Sequence, residues 1–412
     1  MAVFTVIGFG LLLSSFKAAT WSGLTISMLA ASLNVMLGFL LQKFWFSTFI
    51  LGFGNDNPVV AGTGFQNLFL SRLSDLDVAP SETTLRLVLF ATISLLVAFT
   101  GFIGRVNIIQ VLIITLLFCV SWNLSFFLNF FLNFTSSVQP TLFDDMGTTN
   151  VYLFGGAFGL MVAAMLYTKQ TERTENFAQN KVSSVMSLAG TAFIFATFAM
   201  TGFHFPRVRN PFSYNASFLN NIFALSGSVV GAYIVSAFIN KGKVGVREAS
   251  ISTITGGVGI GVVSGVLINP AASIAIGVVS GMISGLFVGI IHPKINARKV
   301  YDSQGILGSF FLIAFLGSLF VAPVVYQGFI NNVRGSRSLT ADITSNDVAL
   351  IQLAYTGISL GVGLVTGLIT GLIARCFSTD ETNDFQDTKL FRREGYGLHK
   401  DDAKEPVRPE SA

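Results

Sequence analysis

The side chains that most often perform chemistry are few and scattered in this chain. It holds three histidines, His204, His292 and His399, and two cysteines, Cys119 and Cys376. Hydropathy places all three histidines in loops or the C-terminal tail, as solvated surface imidazoles, so no Ser/His/Asp set can be assembled from them. No Gly-rich phosphate loop precedes a Lys-Ser or Lys-Thr pair, and no Cys/His cluster has metal-ligand spacing. Enzyme activity is not expected and no cofactor is implied. An ion-coupled carrier usually buries Asp, Glu or His deep inside a helix; apart from residues at their ends, the apolar stretches here carry none. What remains is a passage for a small neutral solute, or no passage.

The elements that would position such a passage are set by the solvent. With 52% hydrophobic and 11% charged residues and a mean hydropathy of +0.68, the composition cannot cover a water-soluble globule, so the chain is read as an all-α integral membrane protein in a lipid bilayer. A helical crossing needs roughly 20 apolar residues. Apolar stretches run 2–16, 21–41, 85–104, 106–132, 150–168, 183–203, 215–239, 250–268, 271–291, 303–325 and 348–374, eleven in all. They are continuous rather than alternating with period two, which favours helices over a barrel. Stretch 2–16 lacks a basic n-region and a clear small-residue cleavage site, and is read as a first helix rather than a signal peptide. Residues 1–375 form one transmembrane domain and 376–412 a polar tail.

Lys and Arg gather in alternate short loops, among them Lys169, Arg173, Lys181, Lys241, Lys243, Arg247, Arg298 and Lys299. By the positive-inside tendency these loops and the tail are cytoplasmic and the N-terminus is outside. The net charge of +4 and pI near 9.1 then report topology, and no nucleic-acid partner is implied. The sequons at Asn133 and Asn215 fall in expected outer loops and are candidate glycosylation sites. Cys119 and Cys376 are separated by this topology and are not expected to pair. Helices one to five start outside and six to ten start inside, an inverted five-plus-five repeat followed by a long eleventh helix. Glycine ladders, Gly277, Gly281, Gly285 and Gly289 in one span and Gly363, Gly367 and Gly371 in another, predict close helix packing.

Several segments carry a resemblance. Thr255-Gly256-Gly257-Val258-Gly259-Ile260-Gly261, Asn269-Pro270-Ala271 and Gly277-Val278-Val279-Ser280-Gly281 resemble helices eight and nine of the ammonium transporter and Rhesus (Rh) superfamily. Ile7-Gly8-Phe9-Gly10, Ser14-Ser15-Phe16 and Trp21-Ser22 look like the first core helices of Rh proteins, particularly the erythroid Rh antigens. Phe154-Gly155-Gly156-Ala157-Phe158-Gly159-Leu160 is similar to the fifth-helix Rh pattern F-G-A-Y-F-G-L. The resemblance implies a homotrimer, or a heterotrimer with Rh-type chains, with one narrow pore per subunit. It also implies two facing pore histidines, whose imidazoles can exchange protons near neutral pH.

Here the chain departs from the pattern. Tyr152 stands at the first pore-histidine position and Gln304 at the second. Asp144, eight residues before Tyr152, matches a family aspartate that organises the outer end of the fifth helix. Cys119 falls where the family has a glutamate, and Thr201 where it has a gate phenylalanine. Trp122, Phe126 and Phe127 lie near the outer half of the fourth helix, as packing or lipid-facing groups before ion recruiters. The resemblance therefore leaves two expectations. One is a channel for ammonia or another small neutral gas such as carbon dioxide, with conduction altered by the loss of both histidines. The other is a non-conducting Rh-like structural subunit, since the erythroid antigens also carry a tyrosine at the first position. A plasma-membrane glycoprotein fits either.

Overall fold

The structure is a computed structural model. It describes residues 2–13, 20–45, 82–103, 105–135, 144, 146–166, 181–200, 211–265, 267, 269–296, 302, 305–326 and 345–377. Among these, every regular element is helical. The helices are α1 (Ala2–Leu13), α2 (Thr20–Trp45), α3 (Glu82–Phe99), α4 (Ile108–Thr135), α5 (Phe154–Met165), α6 (Lys181–Met200) and α7 (Pro211–Ile239). They continue with α8 (Val246–Ser252), α9 (Thr255–Ile260), α10 (Pro270–Leu286), α11 (His292–Asn296), α12 (Ile306–Tyr326) and α13 (Ser345–Arg375). One π-helical turn, Thr148–Leu153, leads into α5, and a second, Phe287–Ile291, joins α10 to α11.

These pieces coincide with the eleven apolar stretches. Six are long and apolar enough to cross a bilayer, and shorter apolar helices run Leu87–Phe99, Ser183–Phe198 and Ile306–Phe320. The remaining two stretches are α1 and the broken pair α8/α9. That break lies between Ser252 and Thr255, where hydroxyls take over backbone acceptors: Ser228 donates to the Thr253 carbonyl at 2.5 Å and Thr255 to that of Ser252 at 2.7 Å. Small polar groups that partner freed carbonyls are what allow irregular helices at membrane depth.

The glycine ladder is a packing device. A methyl added at Gly277 or Gly281 would strike the backbone of Ala224 or Ser228 in α7, and one at Gly227 or Gly231 of α7 would strike α10 in return. The two backbones therefore touch along their lengths, and dispersion contact holds them where lipid supplies no hydrophobic drive. A second seam sets Gly363, Gly367 and Gly371 of α13 against Phe154, Phe158 and Met165 of α5. Of the six long spans, Thr148–Met165 is the most enclosed, with 78% of its window buried. The chain thus puts its fifth crossing at the centre, covered by α3, α12 and α13.

Four sequence expectations change or fall outside view. Asn133 lies in the last turn of α4 and Asn215 in the second turn of α7, not in loops. The hydroxyl of Ser217, third residue of the second sequon, is buried and hydrogen-bonded to Ser264 Oγ at 2.7 Å. Gln304 and Thr201 lie outside the described residues. His292 is not a solvated loop residue: it is 2% exposed and opens α11. Cys119 is buried and Cys376 exposed, and both are free thiols.

Candidate pore site

The start of the fifth crossing is built around a buried carboxylate. Asp144 accepts the Thr149 amide at 3.1 Å on one oxygen and the Asn150 amide at 3.0 Å on the other. Gly147, with φ of +73°, turns the chain into the left-handed region that glycine adopts without strain. Its carbonyl then accepts from both Val151 at 2.7 Å and Tyr152 at 3.3 Å, the second bond skipping five residues and opening a π turn. Neighbours pin this turn from three sides: Ser94 Oγ donates to the Val151 carbonyl at 2.8 Å, Thr148 Oγ1 to that of Val258 at 2.8 Å, and Thr149 Oγ1 meets Ser318 Oγ at 2.9 Å.

A neutral polar network extends outward from the same carboxylate. The Tyr355 hydroxyl of α13 donates to Asp144 Oδ2 at 3.0 Å and receives a bond from Asn150 Nδ2. Asn129 of α4 donates to Asn150 Oδ1 at 3.2 Å and to Ser359 Oγ at 2.9 Å. Trp122 is buried and its indole N–H donates to the Asn150 carbonyl at 3.1 Å. Its ring stacks nearly parallel on half-buried Phe126, with centroids 5.5 Å apart. Trp122 thus faces the protein and fastens α4 to the π turn, a role for which its spacing gave no hint. Burial pushes the Asp144 carboxyl up to about 6, against the pull of the amides and of Tyr355, which favour the charged form.

Tyr152, placed by this turn, is 3% exposed. Phe198 of α6 stacks on its ring at 5.9 Å, and Phe310 of α12 meets it edge-on at 5.9 Å. Phe310 in turn sits edge-on to Phe9 of α1 at 6.1 Å. Four rings from four elements make one buried aromatic chain, and edge-to-face and offset contacts of this kind are worth roughly 0.5–1.5 kcal/mol each beyond area burial. Phe198 and Phe310 were not singled out by sequence. Phe310 is followed by Phe311, which packs on Gly156.

A second constellation sits at the start of the tenth crossing. Asp302 accepts the Gly305 amide at 3.0 Å and the Gly308 amide at 2.7 Å, capping α12. His292 Nε2 lies 2.6 Å from the Asp302 carbonyl, and Arg247 lies 3.1 Å from His292 Nδ1. The pair α8/α9 begins with Arg247 beside Asp302 and reaches Gly261, whose carbonyl accepts from Met146 at 3.0 Å, two residues from Asp144. The two aspartates therefore lie at opposite ends of one crossing, as an inverted repeat requires. Among the described residues there is no group of three or more His, Cys, Asp or Glu able to hold a metal.

Among the described residues, an all-helical bundle of apolar spans around one enclosed, glycine-lined crossing defines a polytopic membrane protein. Residues 1–389 match the Ammonium Transporter Family, and the chain belongs to it. It is 24% identical over 317 residues to ammonium transporter Rh type C of Xenopus laevis, covering 74% of this chain and 58% of that protein. It is 23% identical over 348 residues to RH-like protein IA of Pan troglodytes, covering 81% and 73%. The chain thus spans less than two thirds of the Xenopus relative. In structure it resembles Rh50 of Nitrosomonas europaea, with a TM-score of 0.75 at 21% identity over 98% of this chain and 92% of that one. Mep2 of Saccharomyces cerevisiae gives 0.65 at 18% identity, over 90% and 81%. At such identities these two show the shared fold.

Proposed function

We propose that the chain is an Rh-type subunit whose pore, if open, passes a small neutral solute, ammonia or carbon dioxide, and conducts ammonium poorly. The carrying observation is Tyr152 closed between Phe198 and Phe310 at the position where the family resemblance puts a histidine. A phenol does not exchange protons near pH 7, and a lumen of aromatic rings strongly disfavours a bare cation. Gln304, at the second histidine position, adds an amide that does not titrate either. Trimeric assembly, alone or with Rh-type chains, an N-terminus outside the plasma membrane and glycosylation at Asn133 or Asn215 belong to this reading. So do residues 1–375 as the transmembrane domain and 376–412 as a cytoplasmic tail.

The continuity of the four buried rings from α1 to α6 favours a second reading, a non-conducting structural subunit of a membrane complex. Proteoliposomes loaded with a pH dye separate the two. The channel reading expects saturable alkalinisation under an ammonia gradient above that of empty vesicles, and little response to an ammonium gradient. The structural reading expects neither. Fast ammonium-dependent flux through the unmodified chain would overturn both, whereas its appearance only in a Tyr152→His, Gln304→His double variant supports loss of the proton-handling pair.

A further inference from the structure

We infer that His292 is a positioning residue that holds the start of α12 through a hydrogen-bond pattern available only to the neutral imidazole. The deduction starts from its two partners. A backbone carbonyl can only accept, so Nε2, 2.6 Å from the Asp302 carbonyl, carries the ring proton. Arg247 Nη2 lies 3.1 Å from Nδ1 and 3.4 Å from Nε2; a guanidinium can only donate, so with the proton on Nε2 the ring acceptor left for it is Nδ1. Both ring nitrogens are satisfied in one tautomer. The Asp302 carboxylate continues the chain of contacts by accepting from Gly305 and Gly308 in the first turn of α12.

The fit around the imidazole is close. Gly305 has φ of +75°, and a methyl there would press on the His292 ring at 3.0 Å and on Arg247 at 3.4 Å. Phe287, in the π turn before His292, tilts against the ring at 6.4 Å and also fills the space beside Gly308. The imidazole therefore rests on the residue that directly follows Gln304. The charged groups acting on it are Asp302 on one side and Arg247 and Arg105 on the other, with Glu248 acting on Arg247.

Protonation at Nδ1 would turn the acceptor of the Arg247 bond into a donor. Two cationic groups would then face each other at hydrogen-bond distance, and the ring could stay only by moving. Because Nε2 is fixed to Asp302, that movement pulls on the cap of α12. Acidification on this side of the membrane should therefore loosen the first turn of α12. The link to solute passage rests on Gln304 being a pore position, but the loosening itself does not.

Hydrogen exchange in the full-length protein in detergent reads the first turn of α12 directly, through peptides covering Gly305 to Ser309. Gln at position 292 can donate to the Asp302 carbonyl and accept from Arg247 without titrating, so His292→Gln is the matched reference and cancels the intrinsic pH dependence of exchange. At pH 7.5 the native protein and His292→Gln should exchange alike, and His292→Ala about tenfold faster, as the loss of one satisfied hydrogen bond would give. At pH 5 the native protein should move toward the His292→Ala rate and His292→Gln should not. Equal pH responses in the native protein and His292→Gln would overturn the inference, as would a His292→Ala variant that folds and exchanges as slowly as the native chain. Absence of solute flux in liposomes would count against the channel reading alone, because exchange is read without it.

Discussion

Two helix starts in this molecule are built on the same plan and electrostatically opposite. At one end Asp144 accepts two amides ahead of α5, and at the other Asp302 accepts two amides ahead of α12. A π turn accompanies each, starting four residues after Asp144 in the first case and directly before His292 in the second. The partners differ. Asp144 is enclosed by neutral groups, Tyr355, Asn150 and the amides, so desolvation wins and its carboxyl is pushed up to about 6. Asp302 lies in the field of Arg247, which also bonds His292. A buried carboxylate can thus cap a helix with dipoles alone or with a counter-charge at hand.

The largest expected effect separates the two caps by charge. Asp302→Ala removes the acceptor of two amides and one of the two carboxylates acting on the buried Arg247, which should cost about 3–5 kcal/mol. Asp144→Ala also strips two amides and removes the acceptor of the Tyr355 hydroxyl, but relieves a carboxylate that is poorly solvated at pH 7, so about 2–3 kcal/mol is expected. Thermal unfolding in a mild detergent at pH 7.5 ranks them; an Asp144 variant less stable than the Asp302 variant would break the comparison.

The next effect is the pH response of Asp144. Its folded-state value near 6 lies above the ordinary 3.8, so the folded protein binds the proton more tightly than the unfolded chain. Stability from this group is then full below about pH 4 and is lost as pH rises through about 6. A shift of about two units corresponds to about 3 kcal/mol. Asn at position 144 does not titrate, so the stability difference between the native protein and Asp144→Asn should fall by that amount between pH 4 and pH 7. A difference independent of pH would remove the contrast between the two ends.

The smallest effect tests what restrains that shift. Tyr355→Phe deletes one hydrogen bond to the Asp144 carboxylate, costing about 1 kcal/mol at pH 7.5, and should move the midpoint of the same pH response upward. The unfolding transition measured from pH 4 to pH 8 supplies both numbers. A midpoint that moves down or stays fixed would mean that the phenol does not favour the ionised acid.

Each end was legible to a different degree in the sequence. Asp144 could be found because its spacing of eight residues from Tyr152 is local and survives in the family pattern. His292 was misplaced because the residues after it, Pro293 and Lys294, read as a loop. A clue was present in the ladder: Gly289 packs against Ile239 and Glu248, and His292 follows it by three residues, on the same helical face. Trp122 was marked only as one of several aromatic residues near the outer half of the fourth helix, and Phe198 and Phe310 carried no sequence signal of their own, since aromatic residues abound throughout these spans.

The sequence by itself determined the solvent, the eleven crossings, their order and the glycine seams. Transfer into lipid is a sum over about twenty consecutive residues, so neighbours in the chain suffice to decide it. Only the tertiary structure decided that Tyr152 lies between Phe198 and Phe310, that Trp122 fastens the π turn and that His292 is buried against Gly305. Those are contacts between residues tens to hundreds of positions apart. In an interior where every span is apolar, hydropathy cannot distinguish a face that meets protein from one that meets lipid, because only packing and hydrogen bonds tell them apart.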